Sequence, residues 1–374
     1  MGAVANQRHA SRASATTLAD AVDPQAAGPD AAALPGPGSS EPFLAADIGG
    51  THARIGLVSG ERDGRRPVRV LHYHRYHCAD WSGLTAMLQD FVEQLASTPH
   101  AAAQGHINHC VVACAGYVLG DTIVNGNLPW SVSIHAIRAG LGISQLVVIN
   151  DFEALAYATQ FIAAGETRLI IDAPAPAPGG PVLVMGPGTG LGSAVLFPGQ
   201  LRAHVLATEA GQISLAPGNE REIEILRVLA RARSHVPFED ALSGPGLLKL
   251  YHALCELHDT PVSLLTPAEI TAVALAHGDD AATEALHVFC GLLGSFVGDL
   301  VLLYGARGGV YLAGGILPQI QPFLLASTFA ERYFNKGVMR ARLQQVPVRL
   351  IEHGQLGVIG AAAWLLAERR RGMP

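Results

Sequence analysis

"FLAADIGGTHARIGLV", residues 43–58, reads as a β-strand, a tight turn and a second β-strand. The apolar run Phe43–Ala46 ends in Asp47, and two glycines and Thr51 follow before the chain becomes β-friendly again. About 140 residues later, "VLVMGPGTGLGSAVL" (182–196) repeats the plan. A glycine-rich hairpin opening each half of the chain predicts a duplicated α/β architecture with both turns facing one cleft. Working outward, strand signals occur at 69–77, 109–113, 146–150, 309–312 and 347–351. Helix signals occur at 81–96, 151–162, 220–233, 246–257, 266–276, 280–303 and 357–370. Strands and helices mix throughout, which is the pattern of an α/β fold.

The turns themselves suggest chemistry. Glycines lack a Cβ, so phosphate oxygens can approach the backbone N–H groups of Gly49 and Gly50, or of Gly188 and Gly190. Thr51 and Thr189 add hydroxyl donors. Asp47 cannot bind phosphate directly but can hold Mg²⁺ through water. "GPGTGLG" (186–192) comes within one residue of a dinucleotide fingerprint, but a strand signal follows it where that fingerprint needs a helix. Each turn taken alone is equally well read as an ordinary hairpin. "AGGI" (313–316) follows another strand, with a helix expected near Pro318. Gly314 and Gly315 could clear space for a nucleotide at a helix N-terminus, or allow close helix–sheet packing. "VVINDFEALA" (147–156) brings Asn150 and Asp151 to a strand end. Asp151 there is either a helix N-cap or a carboxylate presented to the cleft.

Composition bounds the alternatives. The 374 residues favour two domains, are 49% hydrophobic and carry a net charge of −6, so no global basic footprint for nucleic acid exists. Residues 1–41 are rich in Ala, Pro, Gly and Ser and read as a disordered tail. A second Pro/Ala-rich loop is expected at 172–181. Five cysteines make no disulfide framework, which fits a reducing cytoplasm. Cys110 and Cys114 read as buried strand residues rather than a metal pair. His72, His74 and Cys78 are explained by a half-exposed strand. No run reaches the roughly 18 to 20 uncharged apolar residues of a membrane helix.

Taken in order, these stations resemble the bacterial glucokinases of the hexose-kinase type, within the actin, sugar kinase and heat-shock ATPase superfamily. "DIGGTHAR" (47–54) and "GPGTGLG" are similar to the family's phosphate motifs, "INDFEA" (149–154) to its catalytic segment and "AGGI" to its adenosine-side motif. "TEAGQISLAPGNEREIEIL" (208–226) with "EDALSGPGL" (239–247) is similar to its sugar-binding stretch. The similarity runs from Phe43 to about Leu366. It implies a two-domain actin-like, ribonuclease H-like fold, with residues 42–160 plus about 352–374 as the smaller domain and 161–351 as the larger. It implies ATP-dependent phosphorylation of glucose at the 6-hydroxyl, with Mg²⁺, in a cytoplasmic enzyme that forms a homodimer. Nucleic acid and membranes are not expected partners.

By resemblance, Asp151 is the general base, while Asn127, Asn150, Glu209, Gln212 and Glu239 join it in binding sugar. Asp47, Gly49, Gly50, Thr51, Gly188, Thr189 and Gly190 grip the phosphates, and Gly314 and Gly315 flank the adenosine. Both glutamates are expected to take two hydroxyl hydrogens each. Three departures stand out. His52 replaces an Asn, Tyr117 lies where a proline is common, and "EAGQ" (209–212) stands for Glu-Gly-Gly-His. Gln212 retains one donor and one acceptor role but cannot titrate. These departures keep open a kinase for another hexose or amino sugar, and a weakly active or regulatory sugar-binding homologue.

Overall fold

The computed structural model describes residues 41–61, 66–125, 128–174, 177–199, 203–352 and 354–370. The expected disordered tail, apart from Glu41, lies outside these residues, as do Asn127 and part of the Pro/Ala loop.

In chain order, β1 (Phe43–Ile48), β2 (His52–Gly60) and β3 (Val68–His77) precede α1 (Leu84–Gln94) and β4 (His109–Cys114). A small meander follows: β5 (Tyr117–Leu119), β6 (Thr122–Val124) and β7 (Val132–Ser133). Next come α2 (Ile134–Leu141), β8 (Gln145–Ile149) and α3 (Asp151–Ala158). The second half contains β9 (Thr167–Ile171), β10 (Val182–Pro187), β11 (Leu191–Phe197), β12 (His204–Thr208), α4 (Glu220–Leu229), α5 (Gly244–Leu257), α6 (Pro267–Leu275) and α7 (Asp280–Tyr304). It closes with β13 (Gly309–Leu312), α8 (Gln321–Ala326), α9 (Phe329–Phe334), α10 (Arg340–Leu343), β14 (Val348–Ile351) and α11 (Leu356–Arg369).

The duplication is visible in the topology. One sheet runs β3-β2-β1-β4-β8 and the other β12-β11-β10-β13-β14-β9. In each, a glycine-turn hairpin (β1–β2 or β10–β11) is antiparallel, and its first strand pairs in parallel with a strand much later in the chain. β1 and β10 are thus interior strands covered on both faces, which explains their continuous apolar runs. Side chains alternate between the faces. Leu44, Ala46 and Ile48 enter the core that holds Leu84, Met87 and Phe91 of α1, while Phe43 and Ala45 meet α11. In β10, Leu183 and Met185 face the α5–α7 core, and Val184 joins Ala156 of α3.

Helix α3 lies between the two sheets. Ala154 and Ala158 pack with α11, whereas Ala156 packs against β10 and β11. The α3–α11 crossing is close: a Cβ on Gly360 would stand 1.9 Å from the Ala154 carbonyl oxygen. By length and composition α7 could cross a membrane, yet most of it is buried in the core of the second half. There Gly294 and Gly298 admit the α9 backbone, where a Cβ would come within 2.2 and 2.8 Å of carbonyl oxygens.

Candidate active site

Asn150 and Asp151 stand where β8 gives way to α3. The helix cap is Asn150, not Asp151: Asn150 Oδ1 accepts from Phe152 N at 2.9 Å and from Glu153 N at 3.1 Å. The cap needs an acceptor, so the Asn150 amide nitrogen is the group turned to a ligand. Asp151 is the first helical residue, and its Oδ1 also accepts from Phe152 N at 2.9 Å. Burial, followed by the nearby Asp47 carboxylate, pushes the Asp151 carboxyl up to about 7, with Glu209 adding a smaller repulsion. Hydrogen bonding to the backbone opposes the shift.

The first glycine-rich turn joins β1 to β2. Gly49 N donates to His52 O at 2.9 Å, and Cys78 braces the loop from below, its N donating to Thr51 O at 2.8 Å. Hairpin register sets Arg54 opposite Asp47, with Nη1 3.3 Å from Oδ2. Burial raises the Asp47 carboxyl while the guanidinium lowers it, and burial is the stronger effect. A Cβ on Gly357, at the start of α11, would lie 2.5 Å from this carboxylate. His52, the departure from the expected Asn, is held below its ordinary value by burial and by Arg75 and Arg54.

The second turn, Gly188–Gly190, separates glycines needed for packing from glycines that leave space open. A Cβ on Gly186 would collide with Ala313 O at 2.1 Å, one on Gly192 with the Phe152 ring at 2.0 Å, and one on Gly314 with Pro187 O at 2.2 Å. Gly188 and Gly315, by contrast, have no protein atom within 4 Å of that position. Packing does not require glycine at those two sites, and a ligand could approach there. The helix expected near Pro318 begins instead at Gln321, after a turn, and is only 6 residues long. Gly314 therefore backs onto Pro187, beside the second glycine-rich turn, and neither glycine opens a helix.

The sugar stretch closes the arrangement. Glu239 Oε2 accepts from Leu191 N at 2.7 Å, and its Oε1 accepts from Gln212 Nε2 at 3.0 Å. Each Glu239 oxygen already holds one protein bond, and each keeps a second lone pair for a hydroxyl hydrogen. Bonding to an acceptor-only carboxylate also orients the Gln212 amide, turning its oxygen away from Glu239. His235, absent from the sequence reading, lies 2.9 Å from the Gln212 carbonyl oxygen through Nε2. Glu209, Gln212, Thr51 and Thr189 are exposed, so the site is open. Tyr117 is 61% exposed, at the start of β5. A separate cavity of about 250 Å³, lined by Ala177, Arg307, Arg342, Gln345 and Val346, involves none of these residues.

Glycine-rich turns on duplicated sheets and a carboxyl raised to about 7 at a strand–helix junction are features that fit an ATP-dependent sugar kinase of the actin-like fold, the class to which the chain belongs. The Glucokinase family model matches residues 44–368, and the chain belongs to the glucokinase family. It is 47% identical to a glucokinase-like protein of Xylella fastidiosa over 87% of this chain and 95% of that protein. It is 36% identical to a glucokinase of Saccharophagus degradans, over 87% and 98% respectively. The crystal structure of a glucokinase from an Antarctic psychrotroph superposes with a TM-score of 0.73 at 34% identity, covering 88% of this chain and 99% of that one.

Proposed function

We propose that the protein transfers the γ-phosphoryl group of ATP to the 6-hydroxyl of glucose, with Asp151 as general base. The observation that carries this reading is Asp151 itself, a largely buried carboxyl tuned to about 7 beside Asp47 and Glu209. The 6-oxygen attacks the γ-phosphorus, the bond to the ADP oxygen breaks, and the hydroxyl proton passes to Asp151. Phe152 N occupies Asp151 Oδ1, leaving Oδ2 for that proton. The Asn150 amide nitrogen, Glu209, Glu239 and the outward Gln212 oxygen hold the sugar. Asn127 joins them in the family reading but lies outside the described residues.

Gly49, Gly50 and Thr51 with Gly188, Thr189 and Gly190 cradle the phosphates, and Gly314 and Gly315 flank the adenosine. Mg²⁺ supplies charge neutralisation on the phosphates when bound. Arg54 already offsets part of the Asp47 charge, which suits holding the ion through water. Residues 42–160 with 352–374 act as one domain and 161–351 as the other, a division supported by α11 packing on the first sheet. A cytoplasmic homodimer is the form this reading favours.

A second reading, a kinase for another hexose or an amino sugar, is favoured by one feature: Gln212 is tied to Glu239 in place of the family's His. Purified protein with Mg-ATP and a panel of hexoses, in a coupled ADP assay beside Asp151→Asn, tests both. Glucose turnover abolished by the substitution supports the first reading, and turnover with another sugar alone supports the second. Tight sugar binding without ADP release would sink both.

A further inference from the structure

Glu239 touches both stations of the site. Leu191, which donates to its Oε2 at 2.7 Å, closes the second glycine-rich turn, and Gln212, which donates to its Oε1, belongs to the sugar stretch. The Leu191 peptide is confined on its other side too, where a Cβ on Gly211 would lie 2.4 Å from Leu191 O. The far end of the turn is fixed by Gly244 N donating to Gly188 O at 2.8 Å. Gly244 follows Ser243, the N-cap of α5, and Ser243 Oγ donates to Glu239 O at 2.8 Å while accepting from Gly246 N at 2.9 Å. One short segment, 239–246, therefore grips the turn at both ends and carries a sugar-facing carboxylate between them.

Phosphate binding by backbone N–H groups requires that they converge before the ligand arrives. A bond from Leu191 N to a charged acceptor is stronger than one to a neutral group, so it is suited to hold that geometry. We propose that Glu239 is a positioning residue for the nucleotide as well as a sugar ligand. Its carboxylate keeps the Gly188–Leu191 turn in its phosphate-binding form. A sugar hydroxyl engaging Glu239 fixes that side chain, so sugar and nucleotide bind cooperatively through it. The inference rests on the kinase reading above.

Calorimetric binding of Mg-AMPPNP to the full chain, without sugar, tests it on wild type, Glu239→Ala and Glu239→Gln. Glu239→Ala should weaken binding at least about five-fold, the scale of one lost hydrogen bond. Glu239→Gln keeps an oxygen for Leu191 N but loses its charge, so its affinity should fall between those of wild type and Glu239→Ala. Should Glu239→Ala not fold, amide exchange in wild type decides: saturating glucose should slow exchange at Leu191. Equal affinities in wild type and Glu239→Ala, or exchange at Leu191 indifferent to glucose, overturn the proposal. A wild type that fails to bind Mg-AMPPNP would instead count against the kinase reading.

Discussion

Asp151 owes its chemistry to burial beside a second carboxylate, and the consequences can be measured. A base with its pKa raised to about 7 is largely protonated at pH 6 and ionised at pH 8. We expect kcat/KM for the sugar to rise with pH through about 7 and then level off; a flat profile across that range would remove Asp151 from the role. Asp151→Asn should lower kcat by about 10²-fold or more. Stability should move the opposite way. A carboxyl whose folded pKa is raised holds its proton more tightly in the native state. Its contribution is therefore fully present below its unfolded value of 3.8 and is lost as pH rises to about 7. Asp151→Asn should thus melt higher than wild type at pH 8, and a lower Tm would contradict this assignment. The position of Asp151 was readable from a strand running into a helix. That Asn150 is the cap was not, because both residue types cap well and only backbone geometry separates them. Arg54 could have been found: a tight turn between Ile48 and Ala53 puts it opposite Asp47.

At the scale of elements, α3 carries Asp151 on its first turn and rests on the second sheet immediately afterwards. Phe152 lies so close to β11 that a Cβ at Gly192 would overlap its ring at 2.0 Å. Gly192→Ala must push α3 away from the phosphate turn or move Phe152. We expect a loss of about 1–3 kcal/mol in stability and a fall in kcat exceeding any change in nucleotide affinity, read by steady-state kinetics beside calorimetry. Normal kcat would show that the contact does not set the position of Asp151. A second junction lies deeper: Arg332 of α9 makes a bidentate pair with buried Glu222 of α4, at 2.6 and 2.9 Å. Arg332→Ala strands a buried carboxylate and should cost roughly 3–5 kcal/mol in chemical denaturation, whereas an unchanged midpoint would mean water replaces the guanidinium. The elements that sequence reading located were the longer helices and the main strands of both sheets, including the edge strands β3 and β8. It missed the meander β5–β7, the strands β9 and β12, and the short helices α2, α9 and α10, and it placed the start of α8 near Pro318 rather than at Gln321. Elements of a few residues complete too little of a period to be recognised. The pairing of Glu239 with Leu191 was equally hidden, since no local pattern joins residues so far apart in sequence.

For the whole molecule, the first glycine turn belongs to one sheet and the second, with the sugar stretch, to the other, and α3 lies between them. Its contact with the second sheet joins Ala156 to Val184, Ala194 and Leu196, and seats Phe152 and Leu155 beside them. A rotation of one half on the other at α3 would have to repack Phe152, so it needs a ligand that binds the two arrangements unequally. The open state described here leaves Glu209, Gln212 and Thr189 exposed. A sugar that bonds to Asn150 on one side and to Glu209 and Glu239 on the other would favour the closed arrangement by its differential contacts. Closure would exclude water from the transfer and strengthen the charge interactions around Asp151. We therefore expect saturating glucose to reduce the radius of gyration in small-angle scattering. At a hundred-fold excess over Kd it should also stabilise the fold by about 2.7 kcal/mol. Glu209→Gln should weaken both responses at the same sugar concentration. Superposable scattering curves accompanied by a normal thermal shift would mean that sugar binds without closure, and the rotation at α3 would then play no part in the reaction.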